Sequence, residues 1–246
     1  MSSSLKTPIG ILRSLILIAI LATVALLIII VGESTPNWIF LSGSAMIVVL
    51  ALVNYIDKKA NADWSRFVLI MFFAMLVCFV ADLLMAGVFA ILPADNLING
   101  VLFFALGHVV YLLALRNRSP LLLRSESPKL ITRNLSIWIL SIIAVFILFY
   151  LTLYNPSDMV ISIGLFGYGI FLTSSLVFSI TKWFDQYPRF FSISLILGFM
   201  LFFISDYILG IRILVDSAFL SGTDAVNITY LLGQMTVHLS SVFKTR

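Results

Sequence analysis

The sequence predicts an all-α polytopic membrane protein, eight transmembrane helices forming one domain over residues 1–246, and three observations carry that expectation. Hydrophobic residues make up 61% of the chain and charged residues 11%, against about 25% charged in a soluble domain. The apolar residues are gathered into runs of roughly 18 or more, the length that crosses a hydrocarbon core of about 30 Å as a helix. The connections between the runs are short, so no soluble domain is left over.

Taken in order, the first run, 9–31, is too long for a signal-peptide core and lacks a small-residue cleavage site, so it is expected to remain as a span. Runs 37–56 and 65–91 follow, the third continuing through CFVADLLMAGVFAIL. The fourth is 98–115, and the longest connection, Arg116 to Arg133, has residues enough only for a polar loop. Runs 132–154, 159–181, 190–215 and 225–243 complete the set, with Pro93 and Pro156 in connections rather than mid-span.

Orientation follows from the basic residues, which are retained on the cytoplasmic side of a membrane. Lys6, Arg13, Lys58, Lys59, Arg66, Arg116, Arg118, Arg124, Lys129, Arg133, Lys182, Arg189, Lys244 and Arg246 fall at one face of the eight-span topology, and Arg212 alone at the other. Both termini are therefore expected in the cytoplasm, with the cell membrane as the host. Trp38, Trp64, Tyr154, Trp183 and Tyr187 lie near span ends, where amphipathic rings favour the headgroup zone. The net charge of +4 reflects this asymmetry and implies no nucleic-acid partner, because the basic residues are scattered over five segments without stacking aromatics. Cys78, the sole cysteine, excludes an intramolecular disulfide and reads as an apolar core thiol.

Asp82 and Asp206 are the chemically costly residues, each set well inside an apolar run. A carboxyl at the centre of a span costs roughly 2.5–3.5 kcal/mol, and a polar contact between membrane helices returns only about 0.6–2 kcal/mol. Such residues mark functional sites by default, the alternative being two helix-packing hydrogen bonds. Two neighbouring carboxyls in a low-dielectric cavity do not both ionise cheaply, which pairs an acid with a base.

An internal echo surrounds them. ADLLMAG followed by FALGHVVYLL matches SDYILGI followed by YLLGQMTVHL, aligning Asp82 with Asp206 and Gly107-His108 with Gly233-Gln234. Four spans per half would make 1–118 and 130–246 parallel repeats, with chance likeness of apolar helices as the alternative. Counted from the outer span ends at about 1.5 Å per residue, Asp82, His108, Asp206 and Gln234 all fall about 14–15 Å deep. Tyr111 shares a helix face with His108, and Tyr230 with Gln234. Gly107 and Gly233 would let backbones approach closely at that level. His238 lies a turn further in and reads as structural or interfacial. His108 and His238 at different depths, without an HExxH pattern, give poor support for a zinc site. No lysine falls inside a span, which excludes a retinal Schiff base, and there is no phosphate-binding glycine loop and no GxSxG. Asn227-Ile-Thr229 is a weak glycosylation sequon at a membrane boundary. Arg212 reads as a snorkelling end-of-helix residue, with a lipid phosphate as the alternative partner.

These residues resemble the YhhN-like lysoplasmalogenase family of multi-pass membrane proteins, through Asp82-Leu83-Leu84, Gly107-His108 with Tyr111, Ser205-Asp206, and Tyr230 with Gly233-Gln234. Ala81 stands where that family usually has glycine, and Leu231 where it commonly has a second tyrosine. The resemblance implies hydrolysis of the vinyl-ether bond of a lysoplasmalogen, a lysolipid, to a fatty aldehyde and a glycerophospho-ethanolamine or -choline, without metal or cofactor. In that chemistry Asp82 and Asp206 would be the catalytic pair, and His108, Tyr111, Tyr230 and Gln234 would orient carboxyls, water or substrate. Membrane lipids are the other expected partners. A proton-coupled transporter and a lipid-binding protein without turnover are the competing classes.

Overall fold

In hydrocarbon every backbone amide must be satisfied within its own segment, and among the described residues the chain meets that demand with helices alone. The computed structural model describes residues 7–30, 37–93, 95–117, 128–184, 187–220 and 223–243. Its helices are α1 (Pro8–Ile29), α2 (Asn37–Lys58), α3 (Ala62–Met85), α4 (Asn96–Asn117), α5 (Pro128–Thr152), α6 (Met159–Phe184), α7 (Arg189–Leu214) and α8 (Ala225–Leu239). Single 3₁₀ turns, Pro156–Asp158 and Ser240–Val242, precede α6 and follow α8. Seven of the helices, α1 to α7, are long and apolar enough to cross a membrane, so the chain is an integral multi-pass membrane protein.

Two boundaries differ from the sequence expectation. The third span was expected to run to residue 91, but α3 stops at Met85. Gly87 adopts φ +69°, and the N–H groups of Gly87 and Val88 reach back to the carbonyls of Leu84 and Leu83. That left-handed glycine cap closes the helix despite the apolar VFAIL that follows. Asn99, buried on α4, latches the ensuing loop by exchanging hydrogen bonds with the backbone of Leu92 at 2.9 and 3.3 Å. The eighth run forms a 15-residue helix instead of a full-length span, about 22 Å by helical rise. It lies within the bundle: Tyr230, Leu231, Gly233, Gln234, Met235, Val237 and His238 are all buried.

The helices pack as a closed ring in the order α2, α3, α4, α6, α7, α8 and back to α2. α1 lies outside it against α2 and α8, and α5 lies outside it against α6. Two glycines bring ring helices together. A Cβ on Gly233 would stand 2.9 Å from the carbonyl oxygen of Gly198, so α7 and α8 meet backbone to backbone. A Cβ on Gly107 would stand 2.6 Å from Cys78 Sγ, which sets α4 tightly on α3. Both glycines serve the close approach expected of them.

At the end of the bundle carrying Arg13 and Lys58, Arg13 bonds Asn54 at 2.9 Å and Asp57 at 3.1 Å, and Lys58 pairs with Asp57 at 2.9 Å. Lys182, in the last turn of α6, is buried with its Nζ 5.2 Å from the centroid of Tyr187. Trp38, Tyr154 and Trp183 are exposed as boundary rings should be. Trp64 is not: it is 5% exposed and packs edge-on against Phe67 and Phe191. Arg212 donates to the backbone carbonyls of Phe219, Leu220 and Thr223, tying down its own loop. Asn227 and Thr229 stand in the first turns of α8, with the Thr229 hydroxyl bonded to Ala225 O at 2.6 Å. Lys6, Arg118, Arg124, Lys244 and Arg246 lie outside the described residues.

Candidate active site

Polar side chains from all six ring helices meet in the interior. Asp82, near the end of α3, is 1% exposed. Its Oδ2 accepts from Ser44 of α2 and from the hydroxyl of Tyr230 of α8, the latter at 3.0 Å. Asp206 of α7 accepts at Oδ2 from the hydroxyl of Tyr168 on α6. Each acid is thus held by a hydroxyl from the preceding ring helix, and both pairs are 38 residues apart in sequence. Among the described residues neither carboxyl has a cationic partner.

The acids do not hydrogen-bond to one another. Between them runs a layer of rings: Tyr168 packs on His108 at 5.8 Å between centroids, His108 on Phe202 at 4.7 Å, and Phe202 on Tyr230 at 5.1 Å. The surroundings of the two acids differ. Asp82 is sealed, whereas Asp206 is half-buried and lines a groove between α5, α6 and α7 together with Tyr168.

His108 is fully buried, with Nδ1 3.0 Å from Ser175 Oγ on α6. Ser175 has one proton, and its hydroxyl donates to the carbonyl of Phe171 at 3.1 Å. That leaves Nδ1–H of a neutral ring as the donor to Ser175 and puts the free lone pair on Nε2. Nε2 is buried without a hydrogen-bond partner. Beside His108, 6.0 Å away between ring centroids, Tyr111 donates to Gln234 Oε1 at 2.7 Å, and its oxygen lies 3.0 Å from His238 Nε2. Because the tyrosine proton is committed to Gln234, His238 Nε2 is the donor of the second bond. Gln234 Nε2 is also buried and unpartnered. A free acceptor on His108 and a free donor on Gln234 are the groups that a water or a substrate oxygen would satisfy.

The six residues singled out from sequence therefore fall into one polar interior but take unequal places. Asp82 with Tyr230 and Asp206 with Tyr168 are two carboxyl centres, and Tyr111 with Gln234 forms a third, uncharged centre. The equal depth counted from span ends does not describe Asp82, which is three residues from the end of α3 because Gly87 stops that helix early. Ser44, Tyr168 and Ser175 were not anticipated, and His238, read as structural, belongs to the Tyr111–Gln234 network. The available signal was a hydroxyl in mid-span 38 residues before each aspartate. Among the described residues no three His, Cys, Asp or Glu side chains converge as metal ligands would.

Neither a curated protein nor a solved structure matches the chain. The sequence profile of the YhhN family matches residues 38–241, which takes in all eight interior side chains from Ser44 to His238 that hold or flank the two acids; the chain is a member of the YhhN family.

Proposed function

We propose that the protein is a membrane-embedded hydrolase that cleaves the vinyl-ether bond of lysoplasmalogens by carboxyl acid–base catalysis. The observation that carries this reading is a pair of intramembrane aspartates, each held by hydroxyl donors and by no cation, one sealed and one open to a lipid-facing groove. Structural hydrogen bonds alone would return less than two such groups cost.

The chemistry needs no redox partner. A carboxylic acid delivers its proton to the alkene carbon remote from the ether oxygen, the C=C π electrons forming the new C–H bond and leaving an oxocarbenium ion. The second carboxyl stabilises that cation and takes a proton from water as it adds to the cationic carbon. The resulting hemiacetal gives its hydroxyl proton to the first carboxylate as its bond to the glycerol oxygen breaks, and that oxygen takes the proton the second carboxyl had removed from water, so aldehyde and alcohol leave and both carboxyls return to their starting states. One water is consumed. His108 Nε2 and Gln234 Nε2, an acceptor and a donor, suit the holding of that water or of the substrate's glycerol oxygen, and Tyr111 and Tyr230 orient the groups beside them.

In the same reading residues 1–118 and 130–246 are parallel repeats, α8 completes an eighth crossing, and both termini face the cytoplasm of the cell membrane. The matched spacing of Ser44–Asp82 and Tyr168–Asp206 supports the repeat. A fluorescent reporter fused after Arg246 lights up if the carboxy terminus is cytoplasmic and stays dark otherwise.

The test is aldehyde release from a lysoplasmalogen by the purified wild type, Asp82→Asn and Asp206→Asn, all shown to be monodisperse. Both variants should lose at least a hundredfold in rate, a typical contribution of one general acid or base. Full activity in either rejects the pairing.

A further inference from the structure

α5 is the least buried helix of the bundle: none of its described side chains is buried, whereas α1, the other helix outside the ring, buries 28% of its most apolar stretch. α1 is seated on two neighbours, and α5 mainly on one. Yet α5 is pinned. Trp138 Nε1 donates to Ser174 Oγ of α6 at 2.9 Å. At the other end the Tyr207 hydroxyl of α7 donates to Thr152 Oγ1 at 2.9 Å, and Asn155 Nδ2 to the carbonyl of Leu214 at 3.0 Å. Between those tethers the helix stands off α6 and α7 and leaves a groove of about 460 Å³, counting the part open to the outside.

The lining has a regular origin. Leu165, Tyr168, Gly169 and Leu172 are one face of α6, and Phe203, Asp206, Tyr207 and Gly210 one face of α7. Each set follows helical i, i+3, i+4, i+7 spacing, which makes the groove about 10 Å long. Val145, Leu148 and Phe149 of α5 close the third side. The walls are hydrocarbon, and Tyr168 and Asp206 supply the polar point. A Cβ on Gly169 would meet no atom within 4 Å, so the groove passes over this residue.

We propose that this groove binds the hydrocarbon chain of a single-chain ether phospholipid and delivers its first carbons to Asp206. The ligand class rests on the hydrolase reading, whereas the location rests on the groove. An apolar channel with a half-buried carboxyl in its wall fits a chain whose only reactive bond adjoins its polar end. Asp82, sealed behind the ring layer, does not line the groove.

The experiment uses a saturated O-alkyl lysophosphoethanolamine with a diazirine in mid-chain, which lacks the vinyl ether and so reports binding without turnover. The full-length protein in nanodiscs is irradiated and its adducts are mapped by mass spectrometry. Adducts should concentrate on Val145, Leu172 and Phe203, compete with unlabelled lysolipid, and fall at least fivefold in Gly169→Leu. Gly164→Leu, also facing open space on α6 but outside the groove, should label like the wild type. Labelling scattered over lipid-facing helices without competition, or unchanged in Gly169→Leu, overturns the groove. Groove labelling by a protein that releases no aldehyde from any vinyl-ether lysolipid upholds the groove and removes the hydrolase, and aldehyde release with the label elsewhere does the reverse.

Discussion

Ser44 and Tyr168 do for their aspartates what few hydroxyls in this protein do. A serine or threonine inside a helix ordinarily satisfies itself on the carbonyl four residues back. Thr23, Thr173, Ser174 and Ser179 all do so, at 2.6–3.0 Å. Ser44 spends its proton on Asp82 instead. Hydrogen bonds to a carboxylate contribute about 1.5–3 kcal/mol, so losing one should slow a step that depends on that carboxyl about 10- to 100-fold. Tyr168→Phe and Ser44→Ala are therefore expected to cut the rate of aldehyde release by that factor. Tyr168→Phe keeps the ring against His108, so its melting temperature in detergent should match the wild type, and an undiminished rate would show that the bond only packs α6 on α7. The same contrast explains what the sequence disclosed. Asp82 and Asp206 were legible because a buried carboxyl is expensive wherever it stands. Ser44 and Tyr168 were not, because a hydroxyl in a helix costs almost nothing and most of them are spent locally.

Helix lengths were legible where only hydropathy set them and illegible where backbone conformation did. α2, α4, α6 and α7 end close to their apolar runs. α3 ends six residues before its run does, because a left-handed Gly87 outweighs the apolar character of Val88 to Leu92. The glycines of the ring tell a second story at this scale. Gly233 was visible as a small residue beside Gln234, but its partner Gly198 belongs to another helix and no spacing rule connects the two. Gly233→Ala places a methyl 2.9 Å from Gly198 O and 3.0 Å from Phe202 N, both backbone atoms that cannot swing aside. It should destabilise by about 1–3 kcal/mol, as overpacking does. Gly167→Ala on α6 meets nothing within 4 Å, and trading a mid-helix glycine for alanine there should stabilise by about 0.5–1 kcal/mol. Thermal unfolding in one detergent, read for both variants, checks the opposite signs. A Gly233→Ala protein as stable as wild type would mean that α7 and α8 do not touch at this point.

The whole molecule is a ring whose interior neither half can furnish. Asp82 and Ser44 come from the first four helices, but Tyr230, the second donor to Asp82, comes from α8. Asp206 and Tyr168 come from the second four, but His108, on which the Tyr168 ring rests, comes from α4. Tyr111 of α4 likewise reaches Gln234 and His238 of α8. Contacts between the halves run along α4 with α6 and along α1 and α2 with α8, so the seam is made of helix faces and carries the polar interior within it. Membrane helices insert first and associate afterwards through packing and interhelical hydrogen bonds, so the connection between the halves, which includes residues 118–127, should be dispensable for assembly. Residues 1–118 and 130–246 expressed together as separate chains are thus expected to co-purify and to recover at least a tenth of the aldehyde release proposed for the intact protein, while either half alone gives none. Asp82→Asn in the first half combined with a wild-type second half should be as inactive as the intact variant, since the second half holds no substitute for that carboxyl. Activity in one half by itself would place the whole reaction around a single aspartate and would end the case for a site shared across the ring.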